Sequence, residues 1–315
     1  MHVIKKALKY LIPLLVIGLF AWYIVDNWES FAEISLSNPW LIIVTIPVVI
    51  LSIYSSGAIN ELFIEPHGVK VTRKELFGLA SVTRFTNQFT PSYVGASFRG
   101  VYFKKKYNVS YTKFSSSFAV SNILQLLISG VVAVAAYAVL KFSDFQFQEM
   151  AAIGITIVVL ISVMFMPLRL ISKTLKRLYK KFPYKPLERL SVLPDEFAKV
   201  RSHRGVLPRA IGWMLTMILS SGALIWLLYG SVGVSVSPLA ALFIGALGSW
   251  GLVLSITPGG LGVREGIMAF SAHLLGIDIT TTVVVALLQR VAVSAVSGIL
   301  FLYYSKRLIP DGDSE

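Results

Sequence analysis

Four arginines and one carboxylate stand where lipid-compatible sequence would otherwise run on. Arg84 and Arg99 lie in the apolar region 76–103, Arg264 and Glu265 in 239–276, and Arg290 in 280–304. An arginine at the bilayer centre costs roughly 2.5–3.5 kcal/mol on insertion scales, so four of them call for counter-charges or water. Glu265 can pair with one of them, which leaves about three positive charges facing the interior of a helix bundle. A guanidinium carries a planar fork of donors that matches two phosphate oxygens, so this surplus suits an anionic, phosphate-bearing ligand. Arg84, Arg99, Arg264, Arg290 and Glu265 are therefore the candidate binding residues, with Asn87 and Gln88 beside them.

Each has a plainer alternative. Arg264 could snorkel to headgroups near an interface, and Arg290 could be a structural partner of Glu265. Asn122, Gln125 and Gln289 also put amides into apolar segments, where bonding between helices is the commoner role. The histidines His2, His67, His203 and His273 are scattered and there is no cysteine, so neither a metal site nor a thiol nucleophile is expected. No catalytic residue and no cofactor is assigned.

The arginines adjoin a repeated interruption. Thr90-Pro91-Ser92-Tyr93-Val94-Gly95 and Thr257-Pro258-Gly259-Gly260-Leu261-Gly262 share the pattern T-P-x-x-(V/L)-G. Gly262 and Gly266 fit a small-residue helix contact, yet packing alone needs no Thr-Pro break. A break exposes amide N–H groups at the start of the next short helix, where the dipole's positive end attracts anionic oxygen. At membrane depth such backbone is tolerated only beside protein or water.

The elements that must position these residues are helices in lipid. Hydrophobic residues make up 55% of the 315 and charged ones only 14%, so the chain reads as an all-α polytopic membrane protein. Six spanning helices are predicted at about 8–25, 40–63, 112–140, 150–168, 208–230 and 280–304. Asp26-Asn27-Trp28 follows the first where a secretion signal would carry small residues, which favours a retained anchor. Regions 76–103 and 239–276 read instead as broken-helix, re-entrant hairpins, since residues 76–91 would reach only about 24 Å as a helix against a hydrocarbon core of roughly 30 Å.

Charge fixes the predicted orientation. Of 29 Lys and Arg, 24 fall in five groups: Lys5/6/9, Lys70/Arg73/Lys74, Lys104/105/106/113, twelve from Arg169 to Arg209, and Lys306/Arg307. With both broken regions as hairpins all five groups share one face, which the positive-inside rule makes cytoplasmic. The expectation is a multi-pass protein of the cell membrane with both termini in the cytoplasm. The two halves, 40–140 and 208–304, then run in opposite directions as an inverted repeat, the pattern of transporters that handle substrate near the midplane. Residues 1–315 form a single membrane domain in this reading.

Between the halves, Leu168, Ile171, Leu175, Leu178 and Phe182 recur at helical spacing with lysines and arginines between them. The 168–206 loop therefore reads as a basic amphipathic element on anionic membrane lipid, with a second helix carrying Leu187, Leu190, Phe197 and Val200. A positive stop-transfer loop is the plainer account. Nucleic acid is not expected as a partner.

The motif TPGGLGVREG, with Pro258, Gly259, Gly260, Leu261, Gly262, Arg264 and Glu265, resembles the transmembrane region of lysylphosphatidylglycerol synthase/flippase proteins and their stand-alone relatives. Arg290 lies where such relatives place an arginine in the last helix. Ser92-Tyr93 departs from the family's glycine-rich first motif. The resemblance implies lipid translocation, with aminoacyl transfer left to a separate soluble domain for which no room is expected after Ser305. The reading is a flippase or scramblase-like transporter for an anionic phospholipid or a polyprenyl-phosphate-linked glycan. A membrane transferase on a lipid-linked substrate, or a membrane partner of a cytoplasmic enzyme, are the alternatives; the first lacks acid-base groups.

Overall fold

The computed structural model describes residues 18–19, 21–90, 94–141, 177, 185–253 and 257–308. Among these residues every regular element is helical. In chain order they are α1 Trp28–Glu33, α2 Trp40–Ile64, α3 Arg73–Phe89, α4 Val94–Tyr107, α5 Tyr111–Leu140, α6 Lys185–Ser202, α7 Val206–Ser231, α8 Pro238–Val253, α9 Val263–His273 and α10 Ile279–Leu308. Among the described residues four helices are long and apolar enough to cross a membrane: Trp40–His67, Tyr111–Leu140, Val206–Ser231 and Ile279–Leu308. They coincide with the predicted spans at 40–63, 112–140, 208–230 and 280–304. The predicted span at 150–168, most of that at 8–25, and the basic stretch 168–184 apart from Arg177 lie outside the described residues.

Local chemistry sets the boundaries. Thr72 and Ser110 cap α3 and α5, their hydroxyls accepting the N–H of Glu75 at 3.4 Å and of Lys113 at 3.3 Å, which satisfies amides the first turn leaves open. Each broken region is a pair of short helices, α3 with α4 and α8 with α9. Thr90 ends α3 at φ −111°, ψ 148°, and Thr257 stands at φ −100°, ψ 157°. Both precede a proline, whose ring disfavours the helical conformation for the residue before it.

Helix α7 runs beside α2 through the middle of the bundle; α3 packs on α10, and α8 packs on α5. Ala210, Met214, Ile218, Ile225 and Leu228 of α7 are fully buried at spacings of one helical face, while Leu215, Leu219 and Trp226 point outward. Gly222 and Gly245 let α7 and α8 touch backbone to backbone, for a Cβ on Gly222 would stand 2.8 Å from Leu242 Cα. Such small-residue contacts are how helices pack where lipid removes the hydrophobic drive. Val291, Ile299 and Leu302 are 66–72% exposed while Arg99, Arg264, Glu265 and Gln289 are at most 5% exposed. Apolar groups outside and polar groups inside suit a chain solvated by lipid.

The two ends of the bundle differ in charge. At one end Arg209 pairs with Glu65 at 3.1 Å and Lys106 with Glu75 at 3.0 Å; Lys199 and His67 both hold Glu196, at 2.7 and 3.1 Å. His67 also meets Ser117 Oγ at 3.1 Å, so α6 is anchored to the ends of α2 and α5. Val200 of α6 is 1% exposed and Phe197 packs on the core. At the other end Asn38 donates its N–H to Ser231 O at 3.0 Å and the Tyr23 hydroxyl meets that of Thr280 at 3.4 Å.

Candidate functional site

The two breaks meet in the middle of the bundle. Gly259 donates its N–H to Thr90 O at 3.4 Å, and no side chain fits at residue 259. Its φ is +60°, and a Cβ there would collide with Gln88 O and stand 2.6 Å from Arg290 Nη1. A left-handed backbone and a close approach therefore both require glycine here. Gly260 and Gly262 share the positive φ, at 71° and 82°, and the chain turns through them into α9.

Beside this junction lies a cavity of about 180 Å³. The predicted residues Arg84, Asn87, Gln88 and Thr90 reach it from α3, Arg99 from α4 and Arg264 from α9. Asn122 and Gln125 of α5, Gln289 of α10 and Gly259 complete the part that the sequence had marked. Arg99 and Arg264 are 5% and 4% exposed, yet Arg99 Nε and Nη1, Arg264 Nε and Arg84 Nε have no hydrogen-bond partner among the described residues. The Arg99 guanidinium carbon lies 5.6 Å from the centroid of the Phe118 ring, a cation-π contact that steadies the group without neutralising it.

Glu265 is committed elsewhere. Its Oε1 accepts from Arg290 Nη2 at 2.7 Å and Nε at 3.2 Å, and its Oε2 accepts the N–H of Gly262 at 2.8 Å. One carboxylate, 1% exposed, thus caps α9 and neutralises Arg290. Arg290 does not line the cavity; it stands behind the glycine turn, against Gly259. Three guanidiniums are left to the cavity, and no carboxylate lines it among the described residues.

The remaining break residues hold the chain in shape. Asn87 Oδ1 accepts the N–H of Gly95 at 2.9 Å, the Thr83 hydroxyl donates to Leu79 O at 2.7 Å and stands 3.3 Å from Gly95 O, and Thr90 donates to Thr86 O at 2.8 Å. Asn87 is thus a clasp for the first turn as well as part of the lining. Thr257, fully buried, donates to Leu261 O at 2.8 Å. Pro258, Gly259 and Gly260 form one short 3-10 turn; Pro91 lies outside the described residues.

Two features escaped the sequence. Glu265 is not alone as a carboxylate within the bundle: Glu75, 8% exposed, accepts from the Tyr102 hydroxyl at 2.7 Å and the Tyr107 hydroxyl at 2.9 Å. With Lys106 it ties α4 back to α3 at the charged end, away from the cavity arginines. A Thr-x-x-Glu pattern, Thr72 to Glu75, resembles a mere helix cap, which hid it. The second feature is the stripe Ser52, Ser56 and Asn60, which lines the cavity from α2; spacing by four on an apolar helix was the available signal. Among the described residues no group of three or more His, Cys, Asp or Glu converges as metal ligands do.

A family model described as the lysylphosphatidylglycerol synthase TM region matches residues 10–300. Against curated proteins the sequence has no significant match.

Proposed function

The chain belongs to the lysylphosphatidylglycerol synthase transmembrane-region family, and from that membership and the arginine-lined cavity we propose that it is a lipid flippase or scramblase-like transporter for an anionic, phosphate-bearing headgroup. The family ties the protein to lipid modification or transport in a membrane. What carries the transport reading is the set of buried guanidinium N–H groups without partners around one cavity. A buried charge left unmatched is costly, and a phosphate with four oxygens would relieve it. Arg84, Arg99 and Arg264 would grip the phosphate, with Asn87 and Gln88 beside them, while the acyl or polyprenyl tails stay in lipid.

Arg290 and Glu265 would hold the second turn in place when the cavity is empty. Re-entrant hairpins in two opposed halves, 40–140 and 208–304, are part of the same proposal. It is supported by the matched packing of α3 on α10 and α8 on α5, and by the like conformations of Thr90 and Thr257. Alternate exposure of such halves is how inverted repeats move a ligand held between them. The positive-inside rule would place the basic end in the cytoplasm of a cell-membrane protein.

The test is reconstitution into vesicles carrying acyl-labelled phosphatidylglycerol. Arg99→Gln and Arg264→Gln should each slow translocation by at least about tenfold, as expected for a lost charge-assisted contact of roughly 1.5–3 kcal/mol. Unchanged rates in protein that remains monodisperse would remove the cavity from the mechanism.

A further inference from the structure

One carboxylate of the bundle still has no role. Glu61 follows Asn60 on α2 and lines a second crevice, set between α2, α3 and α4. Asn60 and Arg99 border this crevice and the large cavity alike, so the two spaces meet at these side chains. Arg99 comes to the junction with Nε and Nη1 lacking partners among the described residues, and Glu61 has no ion pair among them. A carboxylate without a paired cation and a guanidinium without an anion therefore border one small space.

Charged groups face Glu61 from each neighbouring element. Glu65 lies one turn further along α2, Arg73 opens α3, Arg209 stands on α7, and Arg99 faces the crevice from α4. Arg209 is given to Glu65 at 3.1 Å, and the backbone of Val71, in the α2–α3 connection, is bonded to Glu61. Leu76 and Phe103 leave much of the wall apolar. Gly57 holds α2 close against α3, for a Cβ there would stand 2.5 Å from Leu76 Cδ2. At about 10 Å³ the crevice is near the least that admits one water. A metal cation needs several oxygen ligands and would find one carboxylate and one amide facing a guanidinium. A proton needs the carboxylate alone.

Phosphate and Glu61 compete for the same arginine. In the empty cavity Arg99 presents an unclaimed positive charge across the crevice. A phosphate that takes Arg99 removes this support and sets a further negative charge nearby. A carboxylate that loses a cation and gains an anion beside it takes up a proton more readily. We propose that Glu61 is a proton-carrying residue: binding of a phosphate-bearing headgroup at Arg99 is linked to uptake of one proton from water by Glu61, which returns it when the headgroup leaves. A headgroup of charge minus one then travels with one proton, so the movement is electroneutral and a pH difference drives it. This rests on reading the cavity as the phosphate site and adds to it the ion that powers transport.

The full-length protein is tested in two ways. In detergent, binding of dihexanoyl phosphatidylglycerol is followed by calorimetry in pairs of buffers of unlike ionisation heat, across about pH 5.5 to 8.5. A phosphodiester stays ionised throughout, so any proton exchanged belongs to the protein. Wild type should take up as much as about one proton per ligand and lose up to about tenfold in affinity per pH unit on the alkaline side. Glu61→Gln should exchange none and should bind at every pH as wild type does in acid. In vesicles of neutral lipid with the membrane potential clamped, a trace of acyl-labelled phosphatidylglycerol should gather in the leaflet on the alkaline side. The limit is about tenfold per pH unit, and Glu61→Gln should abolish the bias. Binding by wild type without proton exchange overturns the proposal, even where the variant is not recovered folded, and leaves the cavity reading intact. Exchange that persists in Glu61→Gln also overturns it, assigning the proton to another group such as His67 or His203. Linked exchange without movement of lipid upholds the proton site and overturns the flippase reading. Neither binding nor movement overturns the cavity reading and this proposal with it.

Discussion

At the first break the chain turns by means of a side chain: Asn87 takes the N–H of Gly95. At the second it turns by means of backbone freedom and charge, through Gly259, Gly260 and Gly262 at positive φ and then onto the Glu265 carboxylate. Yet the threonines that open the two turns, Thr90 and Thr257, take nearly the same extended conformation, and the turns touch each other at Thr90 O and Gly259 N. Proline sets the break in both. Both turns leave the arginine beyond the proline free, but only the second also carries an acid. Arg99, past the asparagine clasp, has idle N–H groups, as does Arg264; Arg290 is neutralised, because the second turn brings its own acid.

Two turns built so differently should respond very unequally when charge is removed. Glu265→Ala leaves Arg290 buried with no partner and the Gly262 N–H open, a loss of about 3–5 kcal/mol for breaking a buried pair from one side. Unfolding in a graded SDS series should register it, and the pair Glu265→Leu with Arg290→Met should recover a large part. Arg99→Met should cost less than Glu265→Ala or even stabilise, since it deletes a charge that has no counter-ion. A stability loss at Arg99→Met equal to that at Glu265→Ala would erase the distinction between a structural and a ligand-facing arginine.

Glycine at the two turns should separate next. Gly259→Ala combines a left-handed φ of +60° with a collision at Gln88 O, so roughly 3 kcal/mol is expected from backbone strain and overpacking together. Gly95→Ala meets Thr83 O at 2.7 Å but is absent from the positive-φ residues, so it should lose about 1–2 kcal/mol by overpacking alone. The same SDS series ranks them; the reverse order would mean the first turn is the stiffer one.

Much of this was legible in the sequence because lipid simplifies the code. Four of the spans end within a few residues of where apolar length and polar flanks put them, and the Thr-Pro pairs mark both breaks, since a residue before proline is pushed out of the helical region. The arginines could be singled out because charge is rare in an apolar run and marks a functional or paired site when it occurs there. Sequence could not tell which of Arg264 and Arg290 holds Glu265. That depends on where α10 passes the glycine turn, a tertiary fact that selects Arg290 from the two candidates. Glu75 was hidden for a related reason: its partners Tyr102, Lys106 and Tyr107 lie on α4 beyond the break, and only the fold of the hairpin brings them near. The serine stripe of α2 was visible as a period of four but has no meaning until α2 is known to face the junction.

Asn87 offers the smallest and most discriminating change, because it serves both turn and cavity. Asn87→Asp keeps an oxygen for the Gly95 N–H, which it can hold as well as the amide does or better, so stability should change by less than about 1 kcal/mol. The same substitution sets a negative charge beside Arg84 and Arg264, where it would act as an internal rival to a phosphate. Translocation of labelled phosphatidylglycerol should fall by roughly tenfold at unchanged SDS midpoint, whereas Asn87→Ala should lower stability by about 1–2 kcal/mol through the orphaned N–H and slow translocation less. If the aspartate variant translocates like wild type, the side chain is only a clasp, and the first turn differs from the second in how it is built but not in what it exposes to the ligand.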